Sequence, residues 1–339
     1  MRSTLKRLCS GSALLSIAVL ATAPCGATEP LSAPAVAIAA PDDDTTLLAV
    51  PTRIDRIGRI VVPVMINGQG PFRFIVDTGA SHSVVSPALA AKLGLTPTPE
   101  AAILVNGITG TAQVPGVTIA KLQAGDLAIE DTNFPVVWAP LMAGADGILG
   151  AAGLSAQRLL VDFDHNKVVL SRAGTGTPSG YARIPARRLE GGLVAVRARV
   201  GRVDTVAIID TGSERTLGNL ALRDALKQQP RPGMEAHVTT VFGATTEVAP
   251  GDAQVVPTIA IDQLRISDVT VVYGKFHIFS VWNLENRPAL IIGMDILGTV
   301  GAMSIDFKHQ YVYLAGDGVL TAETAGLHSY SMPTPGSRR

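Results

Sequence analysis

Ile60 to Ile66 (IVVPVMI) and Phe72 to Val76 (FRFIV) are runs rich in β-branched and aromatic residues, separated by Asn67-Gly68-Gln69-Gly70. Two apolar runs across such a turn signal predict a β-hairpin. The pattern returns in Leu193 to Val200, Gly201 and Thr205 to Ile209, which predicts a second hairpin. A short helix is expected after each. Ser86 is placed to cap the first, with Pro87 at its first helical position, and Asn219 caps the second ahead of LALRDALKQQ. Further apolar strands end near Leu170 and Leu314.

These elements belong to an internal repeat. Phe74 to Gly79 reads FIVDTG and Ala207 to Gly212 reads AIIDTG, a displacement of 133 residues. GILGAAGL (147–154) is answered by LIIGMDIL (290–297), and VDFDHNKVVL (161–170) by IDFKHQYVYL (305–314). Trp138 precedes Gly150 much as Trp282 precedes Gly293. The blocks keep their order, so two copies of one unit are expected, giving an all-β fold of two pseudo-symmetric lobes with a cleft between them. The lobes are placed at 53–172 and 183–316. The polar, turn-forming stretch 173–182 joins them, and a tail of 317–339 follows.

Composition agrees with strands and turns. The chain of 339 residues has 34 Gly, 22 Pro and only 17% charged residues, which suits a β fold better than a helical bundle. Arg2, Lys6 and Arg7 precede an apolar stretch from Ala13 to Ala21 that is too short to span a bilayer, which reads as a signal peptide (1–27) cut after Ala27, with Ala23 as the second choice. The protein is then exported, periplasmic or secreted, with no stable membrane insertion. A lipoprotein would need Cys25 as the acylated residue, but Pro24 stands where a small residue is required. Residues 28–52, rich in Ala, Pro and Thr, read as a leader or linker. Cys9 and Cys25 both lie in the signal, so the processed chain has no thiol for a disulfide, a nucleophile or a metal site. Loss of the three basic residues leaves 25 basic against 28 acidic, a balance that gives no reason to expect nucleic acid.

The repeated D-T-G carries the chemistry. Each copy ends an apolar strand and delivers a carboxylate, Asp77 or Asp210, whose burial is costly unless its charge or proton is held. Two such carboxyls within hydrogen-bond reach share one proton; aspartic proteases are a worked instance of this in general protein chemistry. One member then takes a proton from a water while the other polarises a carbonyl.

The paired motifs, each followed further on by two apolar residues and a Gly, resemble the pepsin and retropepsin group of aspartic peptidases. With two such closely similar halves, the chain is similar to an exported, bacterial type of single-chain fused retropepsin dimer. That resemblance spans about Arg53 to Ala315. It implies an aspartic endopeptidase acting on peptide or protein substrates, without metal or organic cofactor, and a monomer because the two lobes already form an internal dimer. It also implies that Thr78 and Thr211 lock the catalytic loops together, that Gly79 and Gly212 allow the close approach, and that the strands ending at Gly150 and Gly293 support them. Where the family often supplies a hydroxyl after the motif, this chain has Ala80 in one copy and Ser213 in the other.

Flaps over the cleft are expected at 105–113 and 241–247, with Gly107, Gly110 and Gly243 at their tips; neither has the tyrosine that pepsins usually carry. Trp138 and Trp282 are placed beside the substrate pockets by the same resemblance. His82 is near Asp77 in sequence, and His165 and His309 are read as solvated turn residues. A silent peptide-binding protein on the same scaffold is the alternative, against which stands the retention of both D-T-G motifs. An exported β-sandwich adhesion module would leave the repeat unexplained.

Overall fold

The structure, a computed structural model, describes residues 59–125, 127–137, 142, 144–174, 176–227 and 237–315, with short strands at 13–15, 19–20, 46–51, 53–54 and 319–321. Most of the expected signal, leader and tail, and Trp138, lie outside the described residues. Among the described residues no helix is long and apolar enough to cross a membrane.

The chain folds into two β lobes built the same way. In the first, Ile60–Ile66 pairs antiparallel with Gln69–Asp77 around Asn67 and Gly68, both at positive φ (50° and 76°). An Asn-Gly pair tolerates that conformation, and its twist suits a tight hairpin. Gly147–Gly150 then runs parallel to the end of Gln69–Asp77 and antiparallel to Val84–Val85. The second lobe repeats this. Val194–Val200 pairs with Val203–Ile209, Ala289–Ile292 runs parallel to Val203–Ile209, and Leu217–Asn219 runs antiparallel to Ala289–Ile292.

Both expected helices form where their caps stand. Ser86 Oγ accepts from Leu89 N–H at 3.1 Å at the start of Pro87–Lys92, and Asn219 Oδ1 accepts from Leu222 N–H at 2.9 Å ahead of Leu220–Lys227.

One sheet ties the lobes together. Gln157–Asp162 of the first pairs antiparallel with Ala302–Asp306 of the second, with Leu160 opposite Ser304. Lys167–Arg172 and Tyr311–Ala315 flank that central pair. The outer positions belong to Thr46–Pro51 on one side and Tyr181–Arg188 on the other. Thr46–Pro51 lies within the stretch 28–52 read as a leader or linker, and it takes the place in the first half that Tyr181–Arg188 takes in the second.

His165 and His309 lie in turns, His165 exposed as expected, and each also has an acidic partner. Each imidazole Nδ1 meets an aspartate three residues earlier, Asp162 at 2.9 Å and Asp306 at 3.0 Å. A single apolar cluster, from Ile60 and Phe74 through Val161 and Ile305 to Leu314, spans both lobes. Two smaller clusters, one per lobe, lie next to the aspartate loops.

Candidate active site

Asp77 ends the strand Gln69–Asp77 and Asp210 directly follows Val203–Ile209, so rigid, buried elements deliver both carboxylates. Both side chains are completely buried. Each is bound by its own loop. Gly79 N–H donates to Asp77 Oδ1 at 2.9 Å, and Gly212 and Ser213 N–H donate to Asp210 Oδ1 at 2.9 and 3.0 Å. The Oδ2 atoms stay outside this bonding.

The glycines show how closely the loops approach each other. A Cβ on Gly79 would collide with the Asp210 carboxylate, and one on Gly212 with that of Asp77. The threonines close the arrangement across the pseudo-twofold axis. Thr78 Oγ1 donates to Ile209 O at 2.7 Å and accepts from Thr211 N–H at 3.1 Å; Thr211 Oγ1 donates to Val76 O at 2.7 Å and accepts from Thr78 N–H at 3.1 Å. From behind, Ala151 N–H donates to Ala80 O and Met294 N–H to Ser213 O, both at 2.8 Å, which anchors each loop to the end of its supporting strand.

Burial is the main influence on both carboxyls. It pushes Asp77 up to about 7, and with the charge of Asp77 beside it pushes Asp210 well above the usual carboxylate range. Such a pair holds one proton between two acids near neutral pH.

Ser213 departs from the expected hydroxyl contact. Its Oγ donates to Arg215 O at 2.7 Å, so the residue reaches Asp210 only through its backbone N–H. Among the influences that oppose burial at Asp77 is the charge of Arg59, itself wholly buried.

Above the loops, Thr98–Gly107 with Thr111–Ala124, and His237–Phe242 with Val248–Ile261, form two hairpins whose tips meet. Thr109 Oγ1 and Thr245 Oγ1 lie 3.3 Å apart. A Cβ on Gly110 would strike the Glu247 carboxylate, and one on Gly243 would lie 2.6 Å from Thr109 Oγ1; Gly107 faces Thr245. The tips also exchange lobes. Ile108 is fully buried in the second lobe's cluster with Phe276, Phe279 and Trp282, and Ala244 in the first lobe's cluster with Val84 and Ile148. His277 Nε2 lies 2.8 Å from Thr111 Oγ1 and 3.3 Å from Asn106 Oδ1, which ties the root of the first hairpin to the second lobe.

Removing the anchor at one tip should loosen the pair. Ile108→Ala is expected to speed amide exchange across 105–111 and to raise KM several-fold while leaving the loops below intact; unchanged exchange would show that the tips do not depend on this contact.

Trp282 meets Phe279 edge-on, ring centroids 6.1 Å apart, and is only 9% exposed. Its ring thus belongs to the cluster that holds Ile108 rather than to an open pocket wall. His82 Nδ1 lies 2.9 Å from Ser81 Oγ, and burial lowers its pKa. The ring borders a pocket shared with Ile129, Phe134 and Gly153.

Two strands near the chain's start lie against the tips. Ala13–Leu15 runs parallel to Val105–Gly107, and Val19–Leu20 runs antiparallel to Val241–Phe242.

The family model described as Aspartyl protease matches residues 62–152 and again residues 196–296, one match on each repeat, and each takes in one of the two aspartates. A search of the curated proteins finds no match.

Proposed function

The chain belongs to the aspartyl protease family, and on that premise we propose that it is an aspartic endopeptidase in which Asp77 and Asp210 together activate one water. The observation that carries the reading is the pair of fully buried carboxylates, held face to face by two interlocked D-T-G loops. One proton is shared. The ionised carboxylate accepts a proton as the water oxygen attacks the scissile carbonyl carbon, and the protonated one gives its proton to the carbonyl oxygen. A neutral gem-diol results. Its collapse breaks the C–N bond, with a proton passed to the leaving nitrogen, and the dyad ends with one proton as it began. Nothing covalent forms between enzyme and substrate.

The substrate in this reading is an extended peptide lying as a strand under both hairpins. The strands Ala13–Leu15 and Val19–Leu20 support it. The two tips are related by a pseudo-twofold axis, so one chain crossing beneath must run parallel to one and antiparallel to the other, and these two segments do so.

The test is digestion of a diverse peptide mixture between pH 4 and 8, with and without a statin-type transition-state analogue. New internal cleavages that the analogue suppresses are expected; a mixture left intact at every pH would refute the proposal.

A further inference from the structure

The two halves of the active site differ at one buried position. In the first hairpin Val61 lies opposite Ile75, and the register continued by two residues sets Arg59 opposite Asp77. In the second, Ala195 lies opposite Ile208, and the same continuation sets Leu193 opposite Asp210. Directly opposed residues of an antiparallel pair project to the same face of the sheet. Arg59 and Leu193 are both wholly buried. The continued register therefore gives one aspartate an arginine as its cross-strand counterpart and the other a leucine. A buried cation, shielded little by solvent, favours the charged form of a nearby acid.

We infer that Arg59 is a positioning residue that keeps the negative charge of the dyad on Asp77, which makes Asp77 the carboxylate that receives the water's proton and Asp210 the one that protonates the carbonyl oxygen. The inference rests on the proposed peptidase reading and assigns its two roles. The influence of Arg59 on Asp77, opposite in sign to that of burial, agrees with it.

Other ionisable groups surround the dyad. The loops themselves carry His82, next to Ser81, and the Glu214–Arg215 pair, 3.8 Å apart. Asp295, behind the second loop, accepts from Thr216 N–H at 2.9 Å and Thr216 Oγ1 at 2.8 Å. Glu247 stands at the second hairpin tip beside Gly110. Arg59 is distinguished from them by its place opposite one aspartate alone.

The test compares wild type, Arg59→Lys and Arg59→Leu, the last copying what Leu193 provides in the other half. The pH dependence of kcat/KM on one defined peptide is measured for all three, and carboxylate carbon NMR follows the titration of Asp77 in the same proteins. Arg59→Leu is expected to move the acid limb upward by about one unit or more, so that kcat/KM on that limb falls about tenfold at fixed pH, while Arg59→Lys keeps the wild-type limb. A merely structural arginine would lower stability and leave the limb in place, and that result overturns the inference. If Arg59→Leu does not fold, Arg59→Gln carries the same comparison. If no form hydrolyses peptide, the peptidase reading fails on its own. The NMR titration then still decides: a rise for Asp77 without Arg59 supports the charge assignment, and an unchanged Asp77 rejects it.

Discussion

Asp77→Asn or Asp210→Asn is expected to lower kcat for peptide hydrolysis by about 10²–10⁴-fold while the fold is kept, because each substitution removes one half of the proton traffic on which the water's attack depends. Loss of activity alone would not separate chemistry from misfolding, so the stability of the same variants matters. Asp77 is raised by burial from an ordinary value of 3.8 to about 7, so the folded protein holds this proton more tightly than the unfolded chain. As pH rises past about 4 the unfolded chain ionises first, and folding is penalised progressively until the folded group ionises near 7. Above that, the full penalty applies. Asparagine carries no charge to bury, so Asp77→Asn is expected to be more stable than wild type at pH 8 by about 2–4 kcal/mol, and to lose that advantage near pH 3. Chemical denaturation at the two pH values checks this. An inactive variant that is also less stable at pH 8 would mean that Asp77 is held as a structural anion.

The second large effect is expected at the threonines. Thr78→Val keeps the shape of the side chain but leaves Ile209 O without its donor and Thr211 N–H without its acceptor, both inside the interface between the lobes. Each buried group left unpaired costs about 1–3 kcal/mol, so Thr78→Val or Thr211→Val should lower stability by about 2–5 kcal/mol. Activity should fall as well, since the carboxylates would no longer be held at a fixed separation. The double variant should cost less than the sum, because the four bonds form one network. Thr78→Ser, which keeps the hydroxyl, should recover most of both losses. A Thr78→Val protein that melts with wild type and turns over normally would show that the lobes are registered by the shared sheet alone.

Much of this arrangement is legible along the chain, for physical reasons that differ from place to place. The D-T-G pair stands out because a carboxylate delivered at the end of an apolar strand is costly to bury, and the duplicated context marks both members. Asn67-Gly68 and the caps Ser86 and Asn219 are legible because positive φ and unpaired helix N–H groups are met by few residue types. Arg59 is not. It sits among other basic residues, and only the pairing register and its complete burial set it apart. The exchange of Ile108 and Ala244 between lobes is equally hidden, since local sequence announces a glycine-rich turn and not the core that receives it. Thr46–Pro51 is masked by its Ala, Pro and Thr-rich surroundings and by a long-range pairing that supplies most of the reason for a strand. The Ser213 hydroxyl illustrates a finer limit: residue type identifies a donor, and rotamer and loop path decide which oxygen receives it.

The central claim, that the dyad drives water directly onto a peptide bond, is tested most directly by hydrolysis of one defined peptide in ¹⁸O-water with the products and the protein weighed together. The account predicts one ¹⁸O atom in each newly formed carboxyl group and no mass added to the protein at any time. An acyl adduct on the protein during turnover, or a peptide left whole by wild type under conditions in which the protein is folded, would contradict it.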